Sequence, residues 1–499
     1  MKYVSTRGKT EQATEYSSAE VIKRGLAPDG GLFVPTSIPQ ITPEQLEQLA
    51  DMTYPERAAA ILGMYLTDYT SGELLHAAEE AYGKERFSSV ETAGTPAPVR
   101  AVGQTEVLEL WHGPTSAFKD MALQIMPRLL SLALEKTGET RDALILVATS
   151  GDTGKAALEG YADVPRVRIQ VFYPVDGVSR IQKKQMATQS GQNVNVTAIR
   201  GNFDDAQNGV KQIFSDPEVA KTLDERGIFL SSANSINWGR LVPQIVYSVS
   251  AYCDLLRAGR IKQGELLDVT VPTGNFGNIF ACCLAKRMGL PIGRMICASN
   301  QNNVLTDFIN TGVYDRRRTF YQTVSPSMDI LISSNLERLL WLIAGPERCA
   351  AYMEQLKEKG WYSVEPEVLA AIQQEFSAHF CDEGLTCSTV RTYYETYHYL
   401  CDTHTAVALS AAEQYHAKAE FTNRMLVAST ASPYKFSPAV LEAIGEEVPT
   451  DGFEALRRLQ KRTGVAAPER LQALEQEEDR FTEVVSPSEM QQAVLAFGK

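Results

Sequence analysis

ALILVATSGDTGKAALEGYADVPRVRIQVFYP (143–174) is the stretch whose reading decides the fold. ALILVAT (143–149) is a short, continuous apolar run, the signature of a strand buried on both faces. KAALEGYAD then reads as a helix, and VRIQVFYP (167–174) as a second strand. Downstream the alternation continues. SRIQKKQMATQSG (179–191) reads as a helix, VNVTAI (194–199) as a strand, and FDDAQNGVKQIFSD (203–216) as a helix capped by Asn202. IFLSS (228–232) is a strand, and GRLVPQIVYSVSAYCDLLRAG (239–259) one long helix. LLDVTVP (266–272) is a strand, IFACCLAKRMG (279–289) a helix and RMICASN (294–300) a strand. Short strands alternating with helices mean βα units, so the fold class is α/β, with a mainly parallel sheet flanked by helices on both faces.

Outside this region the signals change. Residues 1 to about 95 contain the turn-rich APDGGLFVP (27–35), with Gly30 and Gly31, and two helices. TPEQLEQLADM (42–52) opens with a capping signature, Thr42 followed by Gln45, and PERAAAILGMYL (55–66) follows. Residues from about 335 to 420 are helix-rich, MLVAST (425–430) is one more strand and SPAVLEAIG (437–445) one more helix. The last stretch, 451–499, is charged and helical with few sheet signals.

Composition narrows the class. At roughly 100–200 residues per domain, 499 residues imply two to four domains, or one large core with decorations. The net charge of −13 argues against a nucleic-acid partner, which needs a concentrated basic face. No run approaches the roughly 18 apolar residues of a membrane span, and MKYVSTRGKTEQ has no signal-peptide core, so neither a membrane partner nor secretion is expected. The eight cysteines show no CxxC spacing and mostly sit in apolar runs, which predicts reduced thiols and a cytoplasmic protein. The six histidines form no HExxH, so no metal site is expected.

Three strand-to-helix loops stand out, because ligands in α/β sheets bind at the carboxyl ends of strands. In VPTGNFGN (271–278), Gly274 and Gly277 let backbone N–H groups approach an anion at a helix N-terminus; a tight βα turn is the alternative. In ATSGDTGKAAL (148–158), Ser150, Thr153 and the amides between them could bind a second anion, or merely cap the helix. A Walker A reading fails there, since Thr149 stands where glycine is required and Ala156 where serine or threonine is. In WHGPTSAFKDMALQ (111–124), Lys119 follows Phe118 and precedes an apolar helix. A lysine so enclosed has a lowered pKa and can form a Schiff base; a snorkelling surface lysine is the alternative.

HGPTSAFKD (112–120) closely resembles the lysine segment of threonine synthases, fold-type II enzymes that use pyridoxal 5′-phosphate. APDGGLFVP, TSGDTGKAA, NSINWGRLVPQ (234–244), GNFGN, SPSMDILISSNLERLL (325–340) and THTAVA (403–408) resemble further segments of that family, in its order, from about residue 27 to 436. The resemblance is to the longer branch. It implies an N-terminal extension (1–95), a cofactor-binding core (96–450) with a smaller mobile subdomain (about 120–240), and a C-terminal helical segment (451–499).

By this resemblance Lys119 is the Schiff-base lysine, Phe118 packs on a cofactor face, and Gly274, Asn275, Phe276, Gly277 and Asn278 hold the cofactor phosphate. Thr430 meets the pyridine nitrogen, where a hydroxyl leaves the ring largely unprotonated. Ser150, Asp152 and Thr153 lie near the substrate carboxylate and the cofactor ring oxygen. Lys155 and Arg240 are the cations expected at a substrate phosphate, the guanidinium because it donates two parallel hydrogen bonds. His112 and His404 position loops. The implied reaction converts O-phospho-L-homoserine and water to L-threonine and phosphate, in a monomer without a separate effector domain. One departure is local: in ASTASPYKF (428–436), Ser432 and Tyr434 replace the His and Ala of the family's usual TAHPAKF. It keeps open a related phospho-lyase that releases phosphate and a 2-keto acid. A catalytically silent, ligand-sensing relative is the other alternative.

Overall fold

The computed structural model describes residues 1–8, 13–87, 95–149, 151–176, 178–418 and 423–498. Two sheets organise it. The larger runs in the order Phe376–Phe380, Ile292–Ser299, Leu267–Pro272, Arg424–Ser429, Thr105–Glu109 and Val99–Val102. All its neighbours are parallel except the last pair. The smaller runs Val484–Val485, Val194–Ile199, Val167–Pro174, Asp142–Ala148 and Ile228–Ser231, entirely parallel. Ala143–Val147, Ile169–Pro174 and the whole of Leu267–Pro272 are buried, as expected of strands covered by helices on both faces.

The opening stretch of sequence forms as read: Asp142–Ala148, the helix Asp152–Tyr161, then Val167–Pro174. The caps form too. Thr42 Oγ1 accepts from Gln45 N at 3.2 Å while Gln45 Oε1 accepts from Thr42 N at 2.9 Å, and Asn202 Oδ1 accepts from Asp205 N at 3.0 Å. Three readings need correction. The expected helix over 239–259 is two helices, Trp238–Leu241 and Pro243–Arg257, because Pro243 has no N–H to continue the ladder. The helix-rich stretch 335–420 also contains the strand Phe376–Phe380, an edge of the larger sheet. The C-terminal segment is not purely helical, since Val484–Val485 joins the smaller sheet as an edge strand.

Two attachments position the site. The N-terminal region packs the helices Pro43–Asp51 and Tyr54–Tyr65 against Pro243–Arg257. There the buried Arg57 donates to Leu49 O (2.7 Å), Ala50 O (2.9 Å), Ser250 Oγ (2.7 Å) and Asp254 Oδ1 (2.7 Å). The C-terminal segment crosses both lobes. Phe453, Leu456 and Leu459 share a core with Val427 and Ala408 of the larger lobe, whereas Val485, Met490 and Val494 share one with Leu144 and Phe172 of the smaller. Between them Asp451 pairs with Arg180, and Asp479 with Lys184 at 2.9 Å.

Candidate active site

Lys119 sits at the start of the short helix Asp120–Leu123, behind a turn built from Gly113 and Pro114. The turn is stitched to the end of the strand Arg424–Ser429: Phe118 N donates to Thr430 O (2.8 Å), Ser432 N to Ser116 O (3.0 Å), and Ala117 bridges Ala431. Asp120 closes it from within, accepting from Thr115 N (2.8 Å) and Thr115 Oγ1 (2.9 Å). A Cβ on Gly113 would lie 2.6 Å from Asp120 Oδ2, so only glycine fits this turn. Behind the lysine helix, a Cβ on Gly160 would lie 1.9 Å from Leu123 O, so glycine also permits the close approach of the helix carrying Asp152.

The Lys119 side chain is mostly buried (11% exposed), and its ammonium lies 3.3 Å from Ser327 Oγ, 3.9 Å from Asp152 Oδ2 and 5.9 Å from the Phe118 ring centroid. Burial is the main force on its pKa and brings it to about 8; Asp152 pulls upward, while Arg240 and Lys435 push down. Asp152 is itself held by Lys435 Nζ on Oδ1 (2.7 Å), by Gln182 Nε2 on Oδ1 (2.9 Å), and by Ser327 Oγ on Oδ2 (3.4 Å). Burial acts to raise the Asp152 carboxyl, but Lys435 and Lys119 outweigh it and keep the group below the usual carboxylate range. Lys435 also donates to Thr115 O (2.9 Å) and is fully buried.

The loop 274–278 joins the strand Leu267–Pro272 to the helix Gly277–Arg287. Phe276 takes a left-handed conformation (φ 61°) that turns the chain into the helix, with its ring buried 5.9 Å from Phe376. Ser333 Oγ donates to Gly274 O (2.7 Å), and Asn335 donates to Asn275 O through N (3.1 Å) and Nδ2 (2.9 Å). These bonds hold the loop by its carbonyls, and the first amides of a helix have no intrahelical acceptor. Asn278 Nδ2 is buried with no protein partner, one more donor left for a ligand. The donor set is that of an anion cradle.

The turn Pro326–Met328 sits between lysine and cradle. Ser327 N donates to His404 Nε2 (3.1 Å), which leaves the proton on Nδ1, 2.7 Å from Asp402 Oδ2. His404 therefore positions the loop, and Ser327 touches Lys119.

Of the other expected residues, Thr430 is buried at the end of its strand and its carbonyl anchors Phe118. Thr153 lies in the first turn of the helix Asp152–Tyr161. Ser150 lies outside the described residues. Arg240 is buried, donates to Ala233 O (2.7 Å), and among the described residues forms no ion pair. Burial lowers it to about 10, so it stays charged at neutral pH, and it acts on Lys119. Lys155 is not brought to the same place. It pairs with Glu159 (3.2 Å) and donates to Gln189, so its charge is already engaged one turn along its own helix. Sequence reasoning assigned no role to Lys435, Gln182, Ser327 or Asn335. Ser327 and Asn335 lie in SPSMDILISSNLERLL, and Lys435 in ASTASPYKF, so the segments were visible but the contacting atoms were not.

A mostly buried amine whose pKa is drawn down to about 8, so that it gives up its proton far more readily than an ordinary lysine, and a cradle for a phosphate are the two attachments that pyridoxal phosphate requires. The chain is a pyridoxal-phosphate-dependent enzyme, and the family model for such enzymes matches residues 107–431. Models for the threonine synthase N terminus and for the threonine synthase C-terminal region match residues 2–82 and 405–494. Threonine synthase from Pseudomonas aeruginosa is 38% identical over 447 residues, covering 89% of this chain and 90% of the relative. Threonine synthase-like 1 from Macaca fascicularis is 43% identical over 439 residues, covering 85% of this chain; the chain spans only 58% of that relative's length. A crystal structure of PLP-bound threonine synthase from Brucella melitensis superposes with a TM-score of 0.88 at 37% identity, covering 100% of both chains. The chain belongs to the threonine synthase family.

Proposed function

We propose that the chain is a threonine synthase, converting O-phospho-L-homoserine and water to L-threonine and phosphate. The observation that carries this reading is Arg240, a buried guanidinium without a carboxylate partner among the described residues, close enough to Lys119 to push its pKa down. A site with one anion cradle for its cofactor and a second, unneutralised cation suits a substrate that brings its own phosphate.

Bound at Lys119 and the cradle, pyridoxal phosphate supplies an electron sink for carbanions next to the substrate amine. The remaining work belongs to the chain. Lys119 Nζ takes the proton from substrate Cα and hands it on to the bound cofactor, which frees the amine to take one from Cβ; that second proton is returned to Cγ after phosphate has left. Its low pKa makes both directions accessible near neutrality. Arg240 balances the charge that grows on the departing phosphate. Asp152 and Ser327 Oγ keep the amine in place while it is not bonded to the cofactor. Thr153, in the first helical turn beside Asp152, takes the substrate carboxylate together with Ser150, and Thr430 faces the ring nitrogen. Closure of the smaller lobe (about 120–240) over the core (96–450) keeps water out until it adds at Cβ. Released phosphate held by Arg240 accepts a proton from that water. Eight free cysteines, seven of them buried, support the reducing cytoplasm. Among the described residues no helix is long and apolar enough to cross a membrane.

A second reading, a phospho-lyase yielding a 2-keto acid, rests on Ser432 and Tyr434. The Tyr434 hydroxyl bonds Val465 O in the C-terminal segment and Ser432 Oγ accepts from Tyr434 N, contacts that brace a turn. This favours the threonine reading. Incubation with O-phospho-L-homoserine should release phosphate and threonine in equal amounts. Phosphate with keto acid and no threonine would replace the first reading by the second, and release of neither would end both.

A further inference from the structure

A pocket of about 360 Å³ lies where the APDGGL loop meets the segment that braces the cradle, away from Lys119, Asp152 and Arg240. Its size is that of a small-molecule site. The walls are apolar, from Leu26, Leu32, Ile236, Tyr314, Met353 and Leu356. Ile332 and Leu26 stand 48% and 39% exposed on its rim, so the opening itself presents apolar side chains to water.

Its polar groups have one sign. The acid in the lining, Glu337, is neutralised: Arg7 donates to it through Nε and Nη2, each at 2.8 Å, and Thr6 Oγ1 at 2.6 Å. Arg316 and Lys357 also line the pocket and, among the described residues, form no ion pair. Ser334 Oγ, in the lining, is buried with no hydrogen-bond partner. An apolar chamber with two uncompensated cations and an orphaned hydroxyl is complementary to an amphipathic anion.

The pocket also touches the cofactor machinery. Tyr314 OH accepts from Ser333 N (2.8 Å), and Ser333 Oγ donates to Gly274 O (2.7 Å) of the cradle. We propose that this pocket binds a small organic anion with an apolar body, and that its occupancy is felt at the cofactor-phosphate loop through Tyr314 and Ser333. The inference does not depend on which reaction the enzyme performs.

The test uses the holoenzyme with 8-anilinonaphthalene-1-sulfonate, an amphipathic anion that fluoresces in apolar surroundings. Saturable binding at one site per chain is expected. Straight-chain alkanoates from butanoate to octanoate should displace it, each methylene strengthening displacement roughly three- to fourfold until the chamber is full. Alkyl phosphates of the same lengths distinguish a carboxylate from a phosphate headgroup, and octanamide should compete at least tenfold more weakly than octanoate. The double variant Arg316→Glu with Lys357→Glu should weaken the probe at least tenfold, and so should Ile332→Trp, which fills the rim; all three positions are partly or fully exposed, so the fold survives. Saturating octanoate should change the rate of cofactor release at least twofold. Absence of saturable binding, full affinity in both variants, equal competition by octanamide, or displacement of the probe by O-phospho-L-homoserine would overturn the site. Binding with an unaltered rate of cofactor release would overturn the link to the cradle.

Discussion

Replacing Asp152 by asparagine changes the charge beside Lys119 while keeping the side chain's shape. In the folded protein Oδ2 lies 3.9 Å from Lys119 Nζ. At an effective dielectric of 20 the Coulomb attraction over that distance is about 4 kcal/mol. Lys435 already shares the carboxylate, at 2.7 Å, so only part of that energy reaches Lys119. One third of it is still about 1.4 kcal/mol, one pKa unit. Asp152 raises the Lys119 pKa, so its loss must lower it, from about 8 by one unit or more. The readout is the rate at which pyridoxal phosphate recombines with apoprotein. That step needs the neutral amine, so in the wild type the rate should rise about tenfold per pH unit up to about 8 and then level off. In Asp152→Asn the plateau should begin at or below about pH 7. Lys435→Met removes a cation that pushes Lys119 down, so its plateau should begin above 8. Each variant also removes one partner of the buried Lys435–Asp152 pair, and breaking such a pair costs about 3–5 kcal/mol, so both should unfold at lower denaturant. The double variant should recover part of this loss. Profiles that coincide with wild type, or that move in the same direction in both variants, would refute the opposing pulls assigned to Asp152 and Lys435 on Lys119.

Arg240→Ala should lower kcat/KM for O-phospho-L-homoserine about ten- to a hundredfold, the scale of a lost charge-assisted hydrogen bond, with cofactor content unchanged. Lys155→Ala, whose ammonium is tied to Glu159, should change kcat/KM less than about threefold; the reverse order in steady-state kinetics would exchange their roles. Gly274→Ala places a Cβ 2.9 Å from Ser327 O, so the cradle must shift, and equilibrium dialysis should show cofactor affinity reduced at least tenfold. Thr430→Asp should hold the ring nitrogen protonated and divert product from threonine to keto acid; an unchanged product ratio by chromatography would remove Thr430 from the ring.

The elements that could be read from sequence were those whose signal is local. Asp142–Ala148 and Val167–Pro174 are buried on both faces and read as continuous apolar runs. Thr105–Glu109 is equally central, yet it went unread because it carries two buried acids. Glu106 is paired with Arg260 and Arg424, and Glu109 with Arg100 and His112, partners that only the fold supplies. Phe376–Phe380 follows its helix with no glycine or proline between, so nothing in the chain marks the change of period. The site divides in the same way. Lys119 and the 274–278 loop carry their own turn chemistry. Lys435 is an ordinary lysine in sequence, and becomes part of the site because the fold sets it against an acid from the other sheet. Lys155 shows the converse, a cation in a conspicuous loop whose partner, Glu159, lay one helical turn further on.

The edge strand Val484–Val485 has a consequence for synthesis. The other strands of its sheet end at Ser231, so they leave the ribosome long before the residues that cover their edge. At 5–20 residues per second the interval is roughly 10–50 s. For that time Val194–Ile199 presents an unpaired row of backbone donors and acceptors, a template for pairing with another nascent chain. The helix Met490–Phe497, which seals Leu144 and Phe172, arrives later still. The smaller lobe is thus the last part of the molecule to become safe from aggregation, although most of it is translated in the first half of the chain.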